Sequence, residues 1–181
     1  MAKGGKIGIH DPYVTLDQED RDRLKRIKLL ILDVDGVMTD GRIWWIEGTG
    51  WTRAFSVKDG YGLKLLMKAG VDIAVISGGD SKSVRERAQF LGIKHVYLGD
   101  ENKLIALDKI MKDTGYKYQQ LAFVGDDLFD MPVLKLVGFS ATVPHAVVEV
   151  KEIVHYITEE PGGFGAVREI ADLIRKCTAA Q

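Results

Sequence analysis

The sequence predicts an α/β fold, a Rossmann-like and mainly parallel sheet with helices on both faces. Short apolar runs that end abruptly in polar residues recur along the chain, as where residues 29–32 meet Asp33. Such runs are typical of strands buried on both faces. Segments with helical periodicity separate the runs, and this alternation favours a parallel sheet. A chain of 181 residues fits one domain with a substantial core.

The predicted elements follow one another in a regular order. We expect residues 1–26 to form an N-terminal arm with a short helix, and residues 27–181 to form the domain. The predicted strands are residues 29–32, 71–76, 95–98, 121–124 and 139–143. The predicted helices are residues 62–69, 81–91, 102–114, 129–137 and 166–176. The first four helices stop at a glycine, which is a common helix terminator.

One segment departs from this alternation. Residues 42–45 and 52–57 flank Glu47-Gly48-Thr49-Gly50, which predicts a β-hairpin over about residues 42–57. The hairpin contains all three tryptophans, Trp44, Trp45 and Trp51. A projecting hairpin cannot bury that aromatic surface alone, so we expect it to fold against its own domain or to pack against another subunit. No insertion is long enough to form a large cap domain.

Composition excludes several classes of protein. The formal net charge is −1 and no basic stripe is visible, which argues against nucleic-acid binding and against attraction to anionic membranes. No apolar run approaches the length of a membrane span, and the N-terminus lacks the apolar core of a secretory signal. The single cysteine, Cys177, rules out an intramolecular disulfide. We expect a cytoplasmic protein.

Clustered carboxylates follow two of the predicted strands. Asp33 and Asp35 follow the first strand, and Asp126, Asp127 and Asp130 follow the strand at residues 121–124. Ligands bind beyond the carboxyl ends of strands in open parallel sheets. Clustered carboxylates repel one another unless a cation neutralises them, and a site with few carboxylates and retained water suits magnesium.

The alternative is that each acidic cluster is a solvated loop. For Asp126-Asp127 alone that reading would be favoured, and for the cluster at Asp33 chance would still be credible. Ser77-Gly78 and Lys103 lie between the two clusters in sequence, where groups that bind an anion would be useful. The combination therefore favours a functional site.

Taken in order, these residues resemble the four motifs of the haloacid dehalogenase superfamily of phosphotransferases. The match covers about residues 27–176. The first and last motifs are specific, whereas Ser77 and Lys103 would each be weak signals alone. The motifs are Asp33-Val34-Asp35-Gly36-Val37-Met38-Thr39-Asp40, Ser77-Gly78, Lys103 and Gly125-Asp126-Asp127-Leu128-Phe129-Asp130.

The resemblance implies a role for each motif residue. Asp33 would attack phosphorus and form an aspartyl phosphate. Asp35 would protonate the leaving oxygen and later deprotonate the hydrolytic water. Magnesium would be held by Asp33, the backbone carbonyl of Asp35 and the side chain of Asp126. Ser77 and Lys103 would bind the oxygens of the transferring phosphoryl group.

Two further carboxylates are expected to support the site. The resemblance implies that Asp127 and Asp130 act through Lys103 or through bound water. For Asp130, the sequence is equally consistent with a carboxylate that only forms a turn or caps a helix.

A closer resemblance points to the 3-deoxy-D-manno-octulosonate 8-phosphate phosphatases, a small tetrameric branch of the superfamily. It implies hydrolysis of this sugar-acid phosphate in lipopolysaccharide precursor synthesis. It also implies a homotetramer in which the hairpins join at the centre and a neighbouring subunit helps to close the site. The segments that carry it are Thr39-Asp40-Gly41-Arg42-Ile43, residues 55–62 and residues 162–169.

The same resemblance implies a set of residues that hold the small-molecule sugar phosphate. The set is Ser56, Val57, Lys58, Asp59, Gly60, Gly78 and Arg87. Without the resemblance, Lys58 and Arg87 would be read as solvated surface charges. Three departures bear on the substrate, since Gly79 and Phe164 stand where the family has basic residues and Lys64 stands where arginine is common. Losing a planar cation weakens recognition of a carboxylate or phosphate.

Two other readings remain open. A phosphatase of nonulosonate (sialic-acid-like) 9-phosphates would share the chemistry with a different sugar. A non-catalytic oligomeric module would share only the fold, and the presence of both Asp33 and Asp35 counts against it.

Overall fold

The computed structural model describes Tyr13 and residues 16–179. The predicted N-terminal arm lies mostly outside these described residues. None of the helices in the described part combines the length and apolar character that crossing a membrane requires. The helices are α1 (Gln18–Lys25), α2 (Val57–Lys68), α3 (Lys82–Leu91), α4 (Lys103–Thr114), α5 (Met131–Leu134), α6 (Val148–Lys151) and α7 (Ala166–Ala179). The strands are β1 (Leu29–Leu32), β2 (Trp44–Ile46), β3 (Gly50–Thr52), β4 (Asp72–Ser77), β5 (His95–Leu98), β6 (Leu121–Val124), β7 (Phe139–Thr142) and β8 (Tyr156–Ile157).

A six-stranded parallel sheet forms the centre of the molecule, as the sequence predicts. Its strand order is β5-β4-β1-β6-β7-β8, so β1 lies between β4 and β6. The chain first builds outward from β1 to β4 and β5 and then crosses back to β6. Strand order therefore reverses between β1 and β6, and a crevice opens beyond the carboxyl ends of strands at such a point.

Helices cover both faces of the sheet, which accounts for the continuous apolar character of β1. All four of its residues are fully buried. Leu30 and Leu32 pack in a core with residues of α1, α2, α3 and α7. Leu29 and Ile31 pack in a second core with residues of α4, α5 and α6. The three-layer α/β architecture predicted from sequence is confirmed.

The predicted hairpin is present but shorter than expected. Strands β2 and β3 pair antiparallel, with Trp45 opposite Trp51 and their rings packed edge to face at 5.3 Å. The prediction of a second strand over residues 52–57 is wrong. The Oγ of Ser56 accepts a hydrogen bond from the backbone N–H of Asp59 at 3.2 Å, which starts α2 at Val57.

The segment after β6 also differs from the prediction. Instead of a helix over residues 129–137, a 3₁₀ turn at Leu128–Asp130 leads into the short α5. The Asp130 side chain folds back, and its Oδ2 accepts the backbone N–H groups of Asp126 at 2.9 Å and Asp127 at 3.2 Å. Helix α6 and strand β8 were not predicted, since four and two residues are too few to show a periodicity.

A glycine turn before α7 packs directly against the loop that follows β1. The backbone N–H of Gly163 donates to the carbonyl of Val37 at 3.1 Å. A β-carbon at Gly162 would lie 1.7 Å from the backbone oxygen of Gly36, so only glycine fits there without moving the loop. The C-terminal part of the chain thus supports the loop that carries Asp35.

We expect Gly162→Ala to lower the free energy of unfolding by about 1–3 kcal/mol, since overpacking against backbone cannot relax through a side chain. Urea unfolding followed by circular dichroism measures the change. Gly78→Ala is the matched control, because its nearest neighbour at 3.2 Å is the Cγ of Glu101, an exposed side chain that can move. Equal unfolding midpoints for Gly162→Ala and the wild type would show that the contact is not tight.

Candidate active site

Asp33 lies at the crevice between β1 and β6. Its backbone N–H donates to the carbonyl of Val124 at 3.0 Å, which extends the β1–β6 ladder by one residue and fixes the side chain at the sheet edge. The carboxylate is almost completely buried. Gly36 follows with φ +89°, and a β-carbon there would lie 1.9 Å from Oδ2 of Asp126. Glycine therefore lets the loop after β1 close onto Asp126.

A buried ammonium group joins the two acidic motifs. Lys103 is the first residue of α4, and its Nζ donates to Oδ1 of Asp33 at 2.6 Å and to Oδ1 of Asp130 at 2.5 Å. The side chains of Lys103 and Asp130 are both completely buried. A lysine ammonium has three N–H donors, so one donor is left for another acceptor. The pairing makes a buried charge tolerable.

Three carboxylates form a cluster that suits a hard divalent cation. Asp33, Asp126 and Asp130 each offer one oxygen, and these oxygens lie within 4.8 Å of one another. Both oxygens of Asp130 are already hydrogen-bonded. Among the described residues, Oδ2 of Asp33 has no hydrogen-bond partner although it is buried. Asp33 and Asp126 therefore fit magnesium best, and the expected third ligand, the carbonyl of Asp35, stays a prediction.

The electrostatics of the cluster also favour a cation. Burial raises the pKa of Asp33 to about 7, against the opposing effect of Lys103, and the charge on Asp130 adds to the increase. Burial likewise raises the pKa of Asp126 to about 7, with Asp130 and Asp127 adding to it. A carboxylate with such a pKa is partly protonated near neutral pH, and a bound divalent cation would restore its charge.

The second motif lies on the other side of Asp33. Ser77 ends β4, its side chain is buried, and its Oγ accepts the backbone N–H of Gly79 at 3.3 Å. Since β4 is the neighbour of β1, Ser77 and Asp33 end adjacent parallel strands. The structure therefore brings the predicted residues of all four motifs to the same edge of the sheet.

The two supporting carboxylates have different surroundings. Asp130 binds Lys103 and the backbone of the fourth motif, which is the supporting position predicted for it. Asp127 instead accepts the backbone N–H of Leu128 at 2.7 Å and caps the 3₁₀ turn. Among the described side chains, Asp127 forms no hydrogen bond or ion pair with Lys103. The predicted supporting role of Asp127 through that lysine therefore has no contact behind it.

Sequence reasoning missed Arg53, which contacts Asp35. The Nε of Arg53 donates to Oδ1 of Asp35 at 2.5 Å, and its Nη2 donates to Oδ2 at 2.8 Å. Arg53 directly follows β3, so it enters the site from the inserted hairpin. No motif marks it, and the available signal was an arginine between the hairpin and the start of α2.

A cavity of about 370 Å³ opens beside Asp126. It is lined on one side by the loop after β1 and on the other by the glycine turn before α7. Phe164 is part of its wall, so one of the departures from the family pattern faces this cavity. Its other lining residues include Asp40, Arg42, His145 and Gly162.

Most residues predicted to bind the sugar lie outside the cavity beside Asp126. Val57, Gly60 and Arg87 line a second cavity of about 370 Å³. Arg87 donates to the backbone oxygen of Ser56 at 2.8 Å, and the buried carboxylate of Asp59 accepts the backbone N–H of Arg168 at 2.9 Å. These contacts stabilise the start of α2 and of α7.

The remaining two predicted substrate residues are Lys58 and Gly78. Lys58 is exposed in the first turn of α2, and Gly78 follows Ser77 at the sheet edge. Sugar binding by this group of residues stays a prediction.

Comparison with known proteins agrees with this geometry. Residues 89–168 match the family model of the haloacid dehalogenase-like hydrolases. The 3-deoxy-D-manno-octulosonate 8-phosphate phosphatase of Yersinia pestis is 43% identical over 152 residues, covering 84% of this chain and 81% of that protein. The same phosphatase of Escherichia coli strain K12 is 41% identical over 174 residues, covering 96% of this chain and 92% of that protein.

A solved structure extends the match to three dimensions. The Moraxella catarrhalis 3-deoxy-D-manno-octulosonate 8-phosphate phosphatase, in complex with magnesium, phosphate and the KDO molecule, superposes with a TM-score of 0.87. It is 38% identical, and the match covers 91% of this chain and 94% of that one. The chain therefore belongs to the family of 3-deoxy-D-manno-octulosonate 8-phosphate phosphatases within the haloacid dehalogenase-like hydrolases.

Proposed function

We propose that this protein is a magnesium-dependent phosphatase that hydrolyses 3-deoxy-D-manno-octulosonate 8-phosphate to the free sugar acid and phosphate. The observation that carries the proposal is the buried Asp33, since Lys103 binds one of its oxygens and the other has no hydrogen-bond partner among the described residues. The product would serve lipopolysaccharide precursor synthesis. An intact set of Asp33, Asp35 and Lys103 counts against a non-catalytic module.

The first step uses the groups around Asp33. An oxygen of Asp33 bonds to phosphorus while the bond to the sugar oxygen breaks, giving an aspartyl phosphate. Lys103 and Ser77 bind the phosphoryl oxygens on which negative charge is concentrated. Asp35 gives a proton to the leaving sugar oxygen. Asp33 and Asp126 would hold magnesium, which would supply positive charge that neutralises the carboxylates and the phosphoryl group.

The second step releases phosphate. Asp35, now a carboxylate, takes a proton from the water that attacks the aspartyl phosphate, and Asp33 is regenerated. Asp130 keeps Lys103 in place throughout, because its own oxygens are fixed by the ammonium group and by the backbone of Asp126.

Assembly would complete the site. The hairpin side chains Trp44, Trp45 and Trp51 are 45%, 64% and 50% exposed, and Ile43 and Ile46 lie beside them with similar exposure. An apolar patch of this kind marks an interaction surface. A homotetramer joined through the hairpins would bury the patch, and a neighbouring subunit would then cover the cavity beside Asp126 in place of a cap domain.

A cytoplasmic location is also proposed. The chain has one cysteine, Cys177, and it is buried, which fits a reducing compartment.

We expect Asp33→Asn to reduce phosphate release by at least about 10³-fold while the fold survives, because an amide is a poor nucleophile. Phosphate release and circular dichroism measure the two effects. Asp113→Asn is the matched control, since that exposed carboxylate accepts from the hydroxyl of Tyr97 away from the site. A folded Asp33→Asn enzyme with near-normal turnover would refute the mechanism.

The substrate proposal predicts an order of catalytic efficiencies. We expect kcat/KM for the octulosonate 8-phosphate to exceed that for a nonulosonate 9-phosphate, and both to exceed that for a simple hexose phosphate. Activity should vanish on chelation and return with added magnesium. If the hexose phosphate is preferred, the phosphatase chemistry stands but the sugar acid is wrong. If the nonulosonate phosphate is preferred, the alternative substrate is correct.

The assembly proposal predicts that Trp45→Glu dissociates the tetramer and lowers activity, because a charge would be forced into an apolar interface. Light scattering at micromolar concentration gives the mass. Leu136→Glu is the control, since Leu136 is 42% exposed and precedes β7, at the amino end of a strand whose carboxyl end lies toward the site. A monomeric and fully active wild-type protein would contradict both the tetramer and its role in covering the site.

A further inference from the structure

Arg53 and Asp35 form an ion pair with two hydrogen bonds beside the proposed phosphoryl site. Both oxygens of Asp35 are engaged, at 2.5 Å by Nε and at 2.8 Å by Nη2. The Arg53 side chain is only 6% exposed, whereas that of Asp35 is 37% exposed. Such planar, bidentate pairing fixes the orientation of a carboxylate as well as its position.

The guanidinium is itself anchored on its far side. Nη1 of Arg53 donates to the Oγ of Ser81 at 2.8 Å, and the Oγ of Ser83 lies 3.1 Å from that of Ser81. Ser81 precedes α3, so Arg53 connects the end of the hairpin to the start of this helix. All three nitrogens of the guanidinium therefore have a partner, and the orientation of Asp35 is set by a chain of contacts.

The same group lies close to Ser77. A β-carbon at Gly79 would be 3.2 Å from Nη2 of Arg53, 3.8 Å from Oγ of Ser77 and 3.9 Å from Oδ2 of Asp35. These three groups thus surround a single point at the sheet edge. Glycine at position 79 leaves room for the guanidinium, because any larger side chain there would crowd Nη2.

We propose that Arg53 is a positioning residue that holds Asp35 in the orientation from which it exchanges a proton with the leaving oxygen and then with water. The proposal rests on the phosphatase function proposed above. As phosphorus bonds to Asp33 and its bond to the sugar oxygen breaks, the proton on Asp35 moves to that oxygen. While Oδ2 carries this proton, the hydrogen bond from Nη2 to Oδ2 is broken. The bond from Nε to Oδ1 then keeps the carboxyl group in place.

Proton transfer restores the geometry that the structure shows. Asp35 is left as a carboxylate, which is the form that Arg53 binds through both nitrogens. In the hydrolytic half of the reaction the same carboxylate takes a proton from the attacking water. In this proposal Arg53 acts through Asp35, the carboxylate that it binds through both oxygens.

The test compares two leaving groups in Arg53→Ala and Arg53→Lys. An alkyl phosphate requires protonation of its leaving oxygen, whereas the phenolate of 4-nitrophenyl phosphate leaves without it. The measured quantity is kcat/KM, which covers the steps up to formation of the aspartyl phosphate. We expect Arg53→Ala to lower kcat/KM for the alkyl phosphate by about 10²-fold or more, and for the aryl phosphate by less than about tenfold. Arg53→Lys, which retains one hydrogen bond, should lie between Arg53→Ala and the wild type.

Arg85→Ala is the matched control. Arg85 pairs with Asp80 through the same two atoms, at 2.9 Å and 2.5 Å, but this pair is exposed. Its loss should leave both kcat/KM values unchanged. Should Arg53→Ala fail to fold, Arg53→Lys and Ser81→Ala carry the test, because Ser81→Ala removes the anchor and leaves the contact with Asp35.

Two results would overturn the inference. One is an equal loss on both substrates, which would mean that Arg53 serves the fold of the site in general. The other is that both kcat/KM values stay at the wild-type level in the variants that fold. The alkyl phosphate is whichever one the wild type hydrolyses fastest, so a wrong sugar acid does not affect the comparison. A wild type that releases no phosphate from either substrate would instead refute the proposed function.

Discussion

The buried ammonium group of Lys103 is the interaction on which the site depends. It is fully enclosed, and it forms hydrogen bonds to carboxylates from the first and the last motif. Without it, Asp33 and Asp130 would be two buried like charges, and such a pair would protonate or move apart. With it, one oxygen of Asp33 is fixed and the other remains for phosphorus or for a cation. The ends of β1 and β6 and the start of α4 are therefore held together by charge.

Sheet topology explains how distant residues reach this position. Asp33 follows β1, Ser77 ends β4 and Asp126 follows β6, and these three strands are neighbours. Parallel strands direct their carboxyl ends to one edge, so three short sequence motifs converge without any local contact between them. Gly36 and Gly162 then allow two backbone segments to approach more closely than any side chain would permit.

The sheet, its helical layers and the motif residues could be predicted from the sequence, because buried strands and the carboxylates that follow them form local patterns. The sequence was not sufficient for Arg53, whose partner Asp35 is distant in sequence and whose position depends on how the hairpin joins α2. It misjudged the second hairpin strand, since the cap at Ser56 determines where α2 begins. The differing environments of Asp127 and Asp130 depend on which way one carboxylate folds back, and spacing does not reveal that.

The contact between Gly162 and the loop after β1 has a consequence for folding of the chain. The loop follows Asp33, whereas the backbone turn that packs against it includes Gly162, far away in the sequence. Bringing together segments so distant in sequence is slow compared with forming local structure. The crevice beside Asp33 therefore gains its support only after these two segments have met, so the site is completed late in folding.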